Sequence, residues 1–143
     1  MMNIGLLVKR DLNPSLQKEV SDLFRQLGGN MRQVDLKEIL DENNRVTFAC
    51  CRDGDRIIGM ALMCQYKVIS GTKGWIEDVV VDTEFRGRGI GRELMNKLLD
   101  EAKKKNLSEL LLFSADHRKA AIGLYSDLGF KRKDSGLYTL KMQ

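Results

Sequence analysis

Apolar positions along the chain switch between a period near two and a period near 3.6, and the switches fall on capping and turn residues. NIGLLVKR reads as a short apolar strand. Asn13 and Pro14 then supply an N-cap and a proline at the first helical position, and Leu16, Val20, Leu23, Phe24 and Leu27 form one helical face that stops at Gly28 and Gly29. Asp35, with Glu38 three residues on, resembles a capping box and starts a shorter helix with Leu36, Ile39 and Leu40 inward, ending near Asn43. RVTFACCR and RIIGMALMCQYKVI flank Asp53, Gly54 and Asp55, the pattern of an antiparallel hairpin.

SGTKG reads as a loop, and WIEDVVVD, Trp75 to Asp82, as a strand with two central carboxylates. Ile90, Leu94, Leu98 and Ala102 then keep helical register, and Lys103 to Lys105 fall in the last turn, where cations complement the helix dipole. ELLLFSA is continuously apolar, which predicts a strand buried on both faces. HRKAAIGLYSDLG predicts a helix capped by Ser114 or Asp116 and closed by Gly129, and FKRKDSGLYTLKM a final hairpin around residues 134–136. The order β, α, α, β, β, β, α, β, α, β, β predicts one α/β (α+β) domain over residues 1–143 with a mixed sheet. Strand 75–82, helix 90–105 and strand 109–114 should form a right-handed parallel crossover.

Composition narrows the function classes. Hydrophobic residues make up 43% of the 143, charged residues 31%, and there is one proline, which suits a globular domain with a real core. No stretch reaches the roughly eighteen apolar residues of a membrane span, and MMNIGLLVKRD lacks the marks of a signal peptide, so no membrane partner and a cytoplasmic location are expected. Three cysteines make no disulfide framework. With a single histidine, no metal site is expected. The formal charge of +4 is mild, and KKK at 103–105 and KRK at 131–133 lack interleaved aromatics, so nucleic acid is not the expected partner.

RGRGIG, Arg86 to Gly91, is the stretch with chemistry in it. A strand that runs into a glycine-rich turn and then a helix presents backbone N–H groups at the positive end of a helix dipole, which describes an anion site. The spacing of Gly87, Gly89 and Gly91 meets neither the dinucleotide fingerprint nor the nucleotide P-loop. In context, WIEDVVVDTEFRGRGIGRELMNKL followed by AAIGLYSDLGF resembles the GCN5-related N-acetyltransferases. Arg86, Gly89 and Gly91 fill that family's signature of Arg or Gln, two residues, Gly, one residue, and Gly or Ala.

The resemblance implies a mostly antiparallel sheet of six to seven strands flanked by four helices, with a splayed parallel pair at an acetyl-CoA site. It implies acetyl transfer to a primary amine by direct attack in a ternary complex, with acetyl-CoA as cosubstrate. The pyrophosphate would lie on the backbone of Arg86, Gly87, Arg88, Gly89, Ile90, Gly91 and Arg92, with the three guanidinium groups screening its charge. The pantetheine arm would pair with the main chain of Val79, Val80 and Val81, and a backbone N–H there, that of Val79 first, would stabilise the oxyanion.

Tyr125 matches the family tyrosine that serves the coenzyme sulfur as general acid. Glu77 and Asp78 are candidates for the base or for holding the cationic amine, and strand alternation sends only one of them to the cleft unless a bulge intervenes. Arg118 stands where the family often has asparagine, and could reach a phosphate instead. His117, the one histidine, is assigned no catalytic role. Local similarity to the subgroup that acetylates glucosamine 6-phosphate favours a small amine such as an amino sugar. Protein or peptide N-termini, lysine side chains, and a non-catalytic acyl-CoA-binding role stay as alternatives, and a homodimer is a family-level expectation.

Overall fold

Two covered faces need two sets of inward residues, and the central strands supply both. In the computed structural model, which describes residues 1–143, five strands lie in the order β1 (Met2–Leu7), β2 (Val46–Asp53), β3 (Arg56–Val68), β4 (Gly71–Val81), β5 (Glu109–Leu112). Neighbours are antiparallel except β4 and β5, which are parallel. Adjacent Cys50 and Cys51 are both fully buried because alternation sends one to each face, so free thiols serve as small core residues on both sides.

On one face, α1 (Pro14–Gly28) and α2 (Leu36–Ile39) pack Leu16, Val20, Leu23 and Leu36 against Phe48, Ile57, Met60, Leu62 and Val80. Asn13 caps α1 by accepting the Leu16 N–H at 2.8 Å, with Pro14 at the first position, and Gly29 closes it with a φ of 56°. The opposite face takes α3 (Ile90–Lys104), with Ile90, Leu94, Met95, Leu98 and Ala102 buried. This helix can sit low because β3 carries Gly59 beneath it: a Cβ there would lie 3.0 Å from Ile90 Cγ2 and 3.1 Å from Leu94 Cδ1.

The chain divides into two compact units, Met1–Phe113 and Ser114–Gln143. The second is built on α4 (Lys119–Asp127), followed by Gly129 at a φ of 97°.

Several sequence expectations need correction. SGTKG is no loop, because Gly71 to Gly74 belong to β4, where a Cβ at Gly74 would lie 2.7 Å from Leu110 Cδ2. These glycines admit neighbours rather than break the strand. The second helix stops at Ile39, and the Asp35 carboxylate caps it through the Lys37 N–H at 2.9 Å. Leu110, Leu111 and Leu112 are half-buried, not buried on both faces, since β5 is an edge strand. Neither Ser114 nor Asp116 caps α4: Arg118 is the N-cap, without a side-chain bond, and Asp116 pairs with Arg132 at 3.3 Å. Residues 130–143 form no hairpin, which leaves five strands rather than six or seven. Leu137, Tyr138, Leu140 and Met142 are exposed, and a two-stranded hairpin without an apolar face to cover is marginal in water.

Seating α3 on a glycine makes a definite prediction. Gly59→Ala should cost about 1–3 kcal/mol, as overpacking of a filled core does, read from the urea midpoint. An unchanged midpoint would mean that α3 does not need the bare backbone.

Candidate active site

The candidate residues of the first unit are strung along one path: the end of β4, the turn after it, and the first turn of α3. Pairing between β4 and β5 covers only Lys73 to Ile76 against Glu109 to Leu112, whereas pairing between β3 and β4 continues to Val81. Beyond Ile76, then, β4 has a strand on one side alone. Glu77, Asp78, Val79, Val80 and Val81 occupy that one-sided segment.

A bulge sits at its start. Met60 opposes Val80 and Leu62 opposes Glu77, so Ala61 faces both Asp78 and Val79. Asp78 takes the left-handed conformation, φ 50°, which a short polar side chain tolerates better than most. The extra residue changes which side chains share a face: pairing places Glu77 with Leu62 and Val80 with Met60, all toward α1. The bulge that would break strict alternation between the two carboxylates is therefore present, at Asp78 itself. They interact: burial first and the neighbouring Asp78 charge second push the Glu77 carboxyl up, with the Trp75 indole N–H working the other way. Burial raises Asp78 as well. Cys64, across from Trp75, is raised by burial and then by these same carboxylates.

The turn that follows is built to leave backbone open. Gly87 and Gly89 both have a φ of 79°, and space is open where a Cβ would stand at either. Gly89 is the N-cap of α3 and has no side chain to offer the first-turn N–H groups. Ile90 is buried and anchors the first turn, while Arg86, Arg88 and Arg92 are exposed around it. Arg86 Nε donates to Val81 O at 3.1 Å, which ties the turn to the strand end. An oriented set of N–H groups with three guanidinium groups beside them suits a compact multiple anion.

Four residues that the sequence left unassigned hold this turn. The Asp82 carboxylate, at 6% exposure, accepts from Arg56 Nη2 at 3.0 Å and from the Glu84 N–H at 2.9 Å. Thr83 N–H donates to Gln26 Oε1 of α1 at 2.9 Å. The Phe85 ring carries the Arg56 and Arg88 guanidinium groups at 5.5 and 5.1 Å. Arg56 lies 26 positions from Asp82, and nothing local in the sequence announces that pairing. An aspartate two residues before a turn N–H is the one signal that could have been read.

In the second unit, Tyr125 lies on α4 with its ring edge-on to Phe130, centroids 6.1 Å apart. Burial pushes its phenol up, and the Arg118 guanidinium opposes that shift. The structure thus brings these two candidates within electrostatic reach of each other. His117 lies in the exposed turn before α4.

The raised Asp78 carboxyl carries a stability prediction. Between its ordinary and its raised pKa the folded chain holds more protons than the unfolded one, so this group's effect on stability falls as pH rises and opposes folding once Asp78 is ionised. Asp78→Asn keeps a residue at ease in the left-handed conformation and removes the charge. It should raise the thermal midpoint near neutral pH, with the gain shrinking as pH falls through the raised pKa. A pH-independent gain, or a loss, would contradict the assignment.

Comparison with known proteins bears on the family and the fold. Residues 10–130 match the model of the acetyltransferase (GNAT) family. A glucosamine 6-phosphate N-acetyltransferase of Trypanosoma brucei brucei is 34% identical over 105 residues, covering 68% of this chain and 69% of that protein. N-alpha-acetyltransferase 30 of Schizosaccharomyces pombe is 37% identical over 82 residues, 56% of this chain and 54% of that one. The chain spans about half the length of that yeast relative, and 26% of a Methanocaldococcus jannaschii N-acetyltransferase that it also matches. Among solved structures, a Clostridium acetobutylicum protein described as a predicted acetyltransferase with acetyl-CoA superposes with a TM-score of 0.74 over 98% of this chain and 96% of that one, at 24% identity. The match over residues 10–130 and the fold lead to one conclusion: the chain belongs to the GNAT acetyltransferase family.

Proposed function

We propose that the chain transfers acetyl from acetyl-CoA to a primary amine by direct attack in a ternary complex, with a small amine such as an amino sugar as the favoured acceptor. One observation carries the coenzyme half of this reading: β4 loses its β5 neighbour after Ile76 on the way into an open glycine turn. An amide-bearing pantetheine arm can pair with the main chain of Val79 to Val81 as a strand would, while the pyrophosphate meets the N–H groups and arginines of residues 86–92. The Trypanosoma relative supports the amino-sugar acceptor. The yeast relative, named for N-alpha acetylation, supports a peptide N-terminus as the second reading. A homodimer belongs to the same reading on the family resemblance, and a cytoplasmic location on the sequence expectation above.

Thioester aminolysis needs a neutral amine, a polarised carbonyl and a proton for the leaving thiolate. The raised Glu77 and Asp78 carboxyls can hold the ammonium form and take its proton, directly or through water. The Val79 N–H supplies a donor for the developing oxyanion. Tyr125, a phenol protonated at neutral pH even at its ordinary pKa, gives its proton to the thiolate.

Thiol release from acetyl-CoA across glucosamine 6-phosphate, peptides, polyamines and aminoglycosides tests the reaction and sorts the acceptors. Tyr125→Phe should slow turnover on the active amine by about 10–100-fold with little loss of coenzyme affinity. Unchanged turnover removes Tyr125 from the mechanism. Coenzyme binding with no thiol release on any amine would favour the acyl-CoA-binding alternative.

A further inference from the structure

We propose that Arg56 and Asp82 are positioning residues for the coenzyme turn, acting through Phe85 to hold Arg88 beside the bound phosphates. The assignment rests on the acetyl-CoA reading above. Arg56 opens β3 and Asp82 follows the last residue of β4, so their pairing ties two strands where the turn leaves the sheet. Each Asp82 oxygen has its own donor, Oδ2 from Arg56 and Oδ1 from the Glu84 N–H, and the Asp82 N–H donates to Ile58 O at 2.8 Å. Residue 82 is thereby fixed in side chain and main chain alike. Phe85 N–H donates back to Asp82 O at 2.9 Å, which carries that fixation to the ring.

The ring then meets two cations, Arg56 at 5.5 Å and Arg88 at 5.1 Å. Two guanidinium groups on one ring repel each other, so the arrangement needs nearby negative charge. Asp82 at 3.0 Å and Glu84 at 3.8 Å from Arg56 supply it. An aromatic face, unlike a carboxylate, orients a guanidinium without neutralising it. Arg88 is accordingly steered while its charge stays available to an anion. Removing Arg56 would also leave a nearly buried carboxylate without its ion partner, which loosens the seat of Phe85 and with it the hold on Arg88.

The test is a double-mutant cycle on coenzyme A affinity, measured by calorimetry with Arg56→Met, Arg88→Met, the double variant and Arg56→Lys. Arg56→Met should weaken binding about tenfold, the scale of a lost charge-assisted contact, and should raise KM for acetyl-CoA far more than it changes kcat. In the Arg88→Met background the same change should cost about twofold or less, because Arg56 acts through Arg88. Arg56→Lys should restore part of the loss by keeping the charge on Asp82. Fully additive losses, or no loss in Arg56→Met, overturn the assignment. Should Arg56→Met fail to fold, Phe85→Leu takes its place in the same cycle with the same expectations. Wild-type protein that binds no coenzyme A overturns the functional reading, and this assignment with it. Binding by wild type with additive losses overturns this assignment alone.

Discussion

Backbone hydrogen bonding in β4 is the constraint from which the site follows. A strand inside a sheet must satisfy its N–H and C=O groups on two sides, and β4 does so only as far as Ile76. From Glu77 on, one side depends on something other than a neighbouring strand. The end of β5 at Leu112 produces this, and the parallel crossover through α3 fixes where it happens. A ligand with spaced amides answers the need of the strand, and an anion answers the need of the helix start a few residues further on. Both needs arise on one continuous stretch of chain, so one elongated ligand carrying both chemistries fits better than two separate ones.

The bulge at Asp78 and the salt bridge at Asp82 are the two ends of that stretch, and they act differently. At the first, an extra residue interrupts the strand beside two adjacent carboxylates whose protons are held more tightly than usual. That conformation costs stability, as sparsely populated backbone regions do, and it is a reasonable cost only where function needs it. At the second, both oxygens of the Asp82 carboxylate have a donor, and its N–H bonds Ile58 O, so residue 82 is fixed where the turn leaves the sheet. In the proposed reaction, chemistry falls at the strained end and ligand holding at the rigid end.

Legibility in the sequence followed how local each signal was. The first helix was readable to the residue because Asn13, Pro14, Gly28 and Gly29 act on their own neighbours, and the β2–β3 turn because Gly54, φ 62°, needs little beyond itself. The extent of β4 was not, since Gly71 and Gly74 mimic a loop and reveal their role only when Ser108 and Leu110 lie against them. The C-terminal run has strand-like residues but no partner, and propensity without a sheet to join made no strand. In the site, the glycine turn and both carboxylates could be named once the resemblance to a known family gave them a context. The bulge at Asp78, and the Arg56–Asp82 pair beneath the turn, depend on contacts across strands that no short motif encodes.

Backbone amide shifts during a coenzyme A titration test the central claim most directly, since they report on the N–H groups themselves. A ligand lying along the one-sided end of β4 and over the glycine turn should perturb Val79 to Val81 and Gly87 to Arg92 together, at one affinity, and leave Gly71 to Gly74 unmoved. Shifts confined to another part of the chain, or strand and turn responding at separate affinities, would contradict a single coenzyme site on this path.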